Sequence, residues 1–236
     1  MKSITKIFIF IISLSTFFSS CDCVENQGGQ ITKMRNLNDF SGLQVSIPAD
    51  ISIIKSDSSY FEVTTSEKVL KHLVFSFNDG LLNIVSDRYL CDATVKINIY
   101  ANQLKKLYAY GQASINMDSG FPQTKEFKIK MSGGAYMKLN LNTEKVLISE
   151  KGEGTIVLQG KADEVDLNSK GNSLIKTVGL RSHFIDIDSK GSGQYFLDST
   201  KRMNIELAGN SYLYYRGNPK IQSCLKENAF IQKLDN

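Results

Sequence analysis

Six glycines recur along the second half of the chain at a nearly constant interval. Gly111, Gly133, Gly152, Gly171, Gly191 and Gly209 stand 22, 19, 19, 20 and 18 residues apart. Aligned on them, the chain falls into six rows, from "LKKLYAYGQASINMD" to "MNIELAGNSYLYYRG". Four positions before the anchors stand Leu107, Ile129, Ile148, Leu167, Ile187 and Ile205. Four positions after stand Ile115, Met137, Ile156, Ile175, Tyr195 and Leu213. Two positions after, every residue is small: Ala113, Ala135, Gly154, Ser173, Gly193 and Ser211. Residues two apart share one face of a strand, so each row reads as strand, bend, strand with one buried face. A row this short cannot bury that face by itself, and the rows must stack on one another.

The Gly-x-Gly of "SKGSGQYFLD" has another reading, because such a loop cradles a phosphate when it joins a strand to a helix. No helical period follows any of the six anchors, and Gly193 belongs to the column of small residues. The glycines are read as backbone devices, for a bend at positive φ or for close approach of the next row. Rows of about twenty residues with two or three short strands each predict an all-β fold, a right-handed parallel β-helix (a β-solenoid) over residues 105–236. A flat meander satisfies the same alternation, but the two-residue Asn-Gly or Asp-Gly turns it needs between rows are missing. The final "ENAFIQKLDN" is expected to cap one end.

Residues 37–104 are β-rich but less regular. "GLQVSIPADISIIKSD" alternates, and "LVFSFNDGLLNIVSD" carries a hairpin signal at Asp79-Gly80. "SEKVLKHL" is the one helical stretch. No Pro/Gly/Ser linker divides the halves, so continuous stacking is expected.

The amino terminus has a different composition. "MKSITKIFIFIISLSTFFSS" joins two lysines to a short apolar run, the pattern of a secretory signal peptide over residues 1–20. Small residues then precede a cysteine, as in a bacterial lipobox, which makes Cys21 the expected lipid-attachment residue. Ordinary secretion with a plain cysteine is the alternative. Residues 21–36 are polar and aperiodic and read as a flexible tether. Loss of Lys2 and Lys6 takes the formal charge from +4 to +2, which speaks against a nucleic-acid binder. An envelope location permits disulfides. Cys91 and Cys224 are one conceivable pair, while the "CDC" at 21–23 is attributed to lipidation.

The succession "FSGLQVSIPADISII", "NDGLLNIVSD", "ATVKINIYANQLKKLYAYGQASI", the glycine-centred rows and "YYRGNPKIQ" resembles one family over about residues 37–232. That family is the auto-transporter adhesin head GIN domain, a domain of unknown function common in Bacteroidetes envelope lipoproteins. The resemblance implies a β-helix-like fold at the cell envelope, on the outer membrane, and carries no catalytic residues with it. Several rows depart from the family's Gly-Ser-Gly: Gln112-Ala113 follow Gly111, and Asn210-Ser211 follow Gly209.

The strongest candidate for chemistry is an outward acidic column of Asp166, Asp186, Asp188 and Glu206, with Asn168 and Asn204 among them. Stacked carboxylates bind Ca²⁺ or act as acid and base on a polysaccharide. A solvated face relieved by Lys151, Lys170 and Lys190 is the simpler reading. His183 lies near the column as a candidate base. Tyr108, Tyr110, Tyr136, Tyr212 and Tyr214 are a candidate exposed stripe for sugars or a protein interface. No nucleophile motif, metal set or cofactor site is found. The expected function is a non-catalytic, lipid-anchored scaffold offering an extended β face to a glycan or protein partner. A polysaccharide-active enzyme and a structural or envelope-stress component are the alternatives. Exposed terminal coils leave edges for a homo-oligomer.

Overall fold

The structure, a computed structural model, describes residues 23–118 and 120–234. The predicted signal peptide and Cys21 lie outside the described residues.

The N-terminal part contributes β1 (Cys23–Val24), β2 (Gln30–Asn36), β3 (Gly42–Val45), β4 (Asp50–Lys55), β5 (Tyr60–Ser66), the one-turn helix α1 (Glu67–Leu70), β6 (Leu73–Asn78), β7 (Leu81–Ser86), β8 (Tyr89–Leu90) and β9 (Lys96–Ala101). The rows supply β10 (Lys106–Gly111), β11 (Ser114–Met117), β12 (Thr124–Gly133), β13 (Tyr136–Gly152), β14 (Thr155–Ser169), β15 (Leu174–Arg181), β16 (Phe184–Gly191), β17 (Gln194–Asp198), β18 (Arg202–Gly209), β19 (Tyr212–Arg216), β20 (Lys220–Leu225) and β21 (Phe230–Lys233).

Two walls of strands enclose one core. The first runs β6–β7–β3–β10–β12–β13–β14–β16–β18–β20, parallel from β7 onward. The second runs β2–β5–β9–β4–β11–β13–β14–β15–β17–β19–β21, parallel from β9 onward. β13 and β14 are long enough to turn the corner and serve both walls. This is a β-solenoid, and its parallel neighbours overturn the meander. The β3–β4 row pairs directly with β10 and β11, so the N-terminal sheet continues into the solenoid.

The predicted columns are observed registers. Leu107, Ile129, Ile148, Leu167, Ile187 and Ile205 lie side by side across β10, β12, β13, β14, β16 and β18. Ile115, Met137, Ile156, Ile175, Tyr195 and Leu213 do so on the other wall. All are fully buried, and each aliphatic side chain so buried stabilises by about 1.5–3 kcal/mol. One irregularity falls between Val157 and Gln159, where β15 carries an extra residue against β14.

The glycines form the corner between the walls. Gly111, Gly133 and Gly152 are in register, as are Gly191 and Gly209. The carbonyl of one anchor accepts a hydrogen bond from the residue after the next anchor: Glu153 N–H to Gly133, Asn172 to Gly152, Ser192 to Gly171 and Asn210 to Gly191. A Cβ on Gly152 would lie 2.5 Å from the Gly133 oxygen. Close backbone approach therefore excludes side chains here, and the carbonyls that line the corner are already hydrogen-bonded within the stack.

Three expectations need correction or completion. The polar segment after Cys21 is structured from Cys23: β1 pairs with β8, and β2 lies antiparallel along β5. β2 is an edge strand exposed on both faces, so it has none of the alternation that marks a half-buried strand. The C-terminal segment closes its end as a further row: β20 and β21 extend both walls with side chains largely exposed, and Ile231 packs on the core. Cys91 is bonded to Cys23, with Cα atoms 5.7 Å apart, and Cys224 is free. A Cys91–Cys224 bond is ruled out by distance: eight strand spacings of about 4.8 Å separate β7, beside Cys91, from β20. The hairpin and helix stand as expected. β6 and β7 turn at Asp79-Gly80, both at positive φ, and Ser66 caps α1 by accepting from the Val69 amide at 3.3 Å.

Candidate binding surfaces

The acidic column stands on the outer side of the first wall. Asp166, Asp186 and Asn204 are in one register line, and Asn168, Asp188 and Glu206 in the next. Asn204 Nδ2 donates to Asp186 Oδ1 at 2.6 Å. Lys145 reaches Glu164 at 3.4 Å and Asp166 at 3.9 Å, and Lys190 stands 4.0 Å from Asp188. Neighbouring amide and ammonium groups thus relieve the like charges on a half-exposed face. Among the described residues no three His, Cys, Asp or Glu side chains are grouped to hold a metal ion. His183 is engaged by Asp163, outside the column: its Nδ1 is 3.3 Å from Asp163 Oδ1.

The tyrosines divide between the walls. Tyr108 is on the first wall, with Lys130 Nζ 5.1 Å from its ring centroid. Tyr136 and Tyr212 share an outer column of the second wall, but Thr155, Leu174 and Gln194 stand between them. Two aromatic pairs lie at the C-terminal end of the second wall. There Phe196 stacks on Tyr214 at 5.0 Å, Tyr212 meets Phe230 at 6.4 Å, and Lys176 covers Phe196 at 5.6 Å. Phe196 and Phe230 escaped sequence reading, although both sit at outward positions of their rows. Phe196 and Tyr214 spend ring faces on each other, and Tyr212 and Phe230 are tilted by 55°, so the rings present edges and the outer faces of Tyr212 and Phe230, with Gln194, Gln232 and Arg216 nearby, to a sugar or an apolar protein patch.

The glycine corner begins with a groove. The β3–β4 bend carries Ser46, Ile47 and Pro48 where later rows carry glycines, so Gly111 has open space on the side where later anchors meet a backbone. Between that bend and the 86–93 segment lies an open groove of about 960 Å³, flanked by Asp87, Tyr89, Asp92, Tyr110 and Gln112. The Cys23–Cys91 disulfide fixes its far bank.

A third polar feature is internal. Ser169 Oγ donates to Glu150 Oε2 at 2.7 Å, Tyr195 OH donates to Ser169 Oγ at 2.9 Å, and Ser189 Oγ lies 2.7 Å from Tyr195 OH and 3.0 Å from Ser211 Oγ. All five residues are buried. Loss of solvent around Tyr195 raises its hydroxyl pKa above 10.0, against the opposing effect of the serine hydrogen bonds. The ladder ties four successive rows together inside the core. Sequence reading placed Tyr195 inward but overlooked Glu150, Ser169 and Ser189, although all stand two positions before an anchor, on the buried parity.

Comparison with known proteins places this arrangement. The fold matches a crystal structure of a putative adhesin from Bacteroides fragilis NCTC 9343 with a TM-score of 0.81 at 19% identity, covering 89% of this chain and 100% of that one. A putative lipid binding protein from Parabacteroides distasonis ATCC 8503 gives 0.74 at 20% identity, over 90% and 99% of the two chains. A putative adhesin from Parabacteroides merdae ATCC 43184 gives 0.71 at 20% identity, over 91% and 100%. No curated protein matches the chain. The family model "Putative auto-transporter adhesin, head GIN domain" matches residues 39–219, from the N-terminal sheet to the end of the β19 row, and the chain belongs to that family.

Proposed function

We propose that this protein is a non-catalytic binding scaffold of the cell envelope, anchored through lipid on Cys21, whose stacked rows display side chains to a glycan or protein partner. The observation that carries the reading is the aromatic surface of Phe196, Tyr212, Tyr214 and Phe230 on a wall held rigid by parallel strands. The adhesin description of the family and of two solved relatives agrees with it. The acidic column supports no glycosidase, because its carboxylates run along a flat wall and are engaged by Asn204, Lys145 and Lys190; two catalytic carboxyl groups must flank a bound sugar. The test is retention of outer-membrane glycans and envelope proteins on the immobilised domain, compared with a Phe196→Ala/Tyr214→Ala variant. Retention lost in the variant supports the reading. Polysaccharide cleavage that disappears in Asp186→Asn overturns it in favour of an enzyme.

A further inference from the structure

The segment between the proposed lipid anchor and the domain has almost no slack. Cys23 is bonded to Cys91 and pairs alongside Tyr89, while Val24 pairs alongside Leu90. Cys91 N–H donates to the Val24 carbonyl at 3.0 Å, and Asn26 Nδ2 donates to the Asp92 carbonyl at 3.2 Å. Val24 and Leu90 are both buried. Two residues cannot span more than about 7 Å whatever their conformation. A strand spacing adds about 4.8 Å, so the Tyr89 backbone lies within about 12 Å of the Cα of Cys21.

That distance is comparable with the depth of a headgroup layer, about 5–8 Å on each side of the hydrocarbon core. The residue nearest the anchor also suits it. Tyr89 is 69% exposed, the most exposed large apolar side chain among the described residues, and tyrosine's apolar ring and polar hydroxyl favour the membrane–water interface. We propose that the Tyr89–Asp92 loop is a membrane-contact site, held against the lipid headgroups by the Cys23–Cys91 bond. The inference rests on the lipid-anchor reading and replaces a freely swinging domain by one clamped at its N-terminal corner.

The chain has no tryptophan, so Tyr89→Trp installs a single reporter at an exposed position. The full-length variant, purified in its processed form, is reconstituted into phosphatidylethanolamine–phosphatidylglycerol vesicles with a nitroxide on part of the headgroups. Acylation is followed separately, by incorporation of a labelled fatty acid into the wild type and Cys21→Ala. The expected result is label on the wild type only, together with a blue shift and nitroxide quenching of the Tyr89→Trp emission. Adding Cys23→Ser and Cys91→Ser lengthens the free leash toward β2 and is expected to reduce the quenching. A labelled, vesicle-bound protein whose tryptophan is unquenched overturns the contact site and leaves the anchor standing. Quenching indifferent to the two serines overturns the disulfide as the clamp. No label on the wild type removes both the anchor and the contact site.

Discussion

Replacing Gly152 by alanine tests the stacked corner directly. Two costs combine at this position. Gly152 has φ +136°, and an L side chain held at positive φ costs roughly 1–2 kcal/mol. The new Cβ would also lie 2.5 Å from the oxygen and 2.7 Å from the nitrogen of Gly133. Neither atom can withdraw without parting β12 from β13, and such overpacking costs about 1–3 kcal/mol. The total expected is about 2–5 kcal/mol. Gly111→Ala is the matched control, because Gly111 has φ +91° but no atom within 4 Å of the added carbon. Only the conformational cost of roughly 1–2 kcal/mol applies there. The entropy that alanine removes from the unfolded chain is common to both and cancels. Urea unfolding of the two variants should therefore differ by about 1–3 kcal/mol. Native-state hydrogen exchange should quicken at Glu153, whose amide donates to the Gly133 carbonyl, in Gly152→Ala alone. Equal losses in the two variants, with no local change in exchange, would refute the view that the glycines are retained for contact between rows.

Tyr195→Phe removes the hub of the buried hydroxyl ladder and should cost about 1–3 kcal/mol, the penalty for stranded buried polar groups; since the Tyr195 hydroxyl fills the space a Cβ on Gly193 would need, Gly193→Ala should be less damaging in Tyr195→Phe than in the wild type. The folded-state pKa of Tyr195 is raised, so the unfolded chain loses its proton first; stability should fall as pH rises above about 10 toward the folded value, less steeply in Tyr195→Phe, by thermal melts across that range. Cutting the Cys23–Cys91 bond with reductant or by Cys91→Ser releases a constraint across 68 residues, with an expected loss of up to about 4 kcal/mol in denaturant; an unchanged midpoint would mean that strand pairing alone fixes the N-terminal segment.

The rows could be read without coordinates because a parallel solenoid converts period into register. Ile129 and Ile148 are 19 residues apart in the chain and side by side in the wall. The same logic fails where burial stops imposing a pattern. β2 is wetted on both faces and carries no alternation, so its sequence looks like a linker. The partner of Cys91 depended on the Cys23–Val24 segment pairing with β8 over two residues, a long-range event with no local signature. Glu150, Ser169 and Ser189 were on the buried parity, but polar residues there break the binary pattern that identified the core. The aromatic surface formed from Phe196, Tyr214, Tyr212 and Phe230, which the rows separate by up to 34 positions in sequence and the stacking brings together. The charged column, in contrast, sat where its row numbers placed it, because outward residues follow the same register as inward ones.

Each row hydrogen-bonds only to the rows on either side, and the apolar columns keep one register from row to row. A duplication or deletion of one such unit would move the distal end by a single inter-strand step of about 4.8 Å and leave the apolar columns of the flanking rows matched. Reach can thus vary in descendants of this chain through copy number, without redesign of the interior.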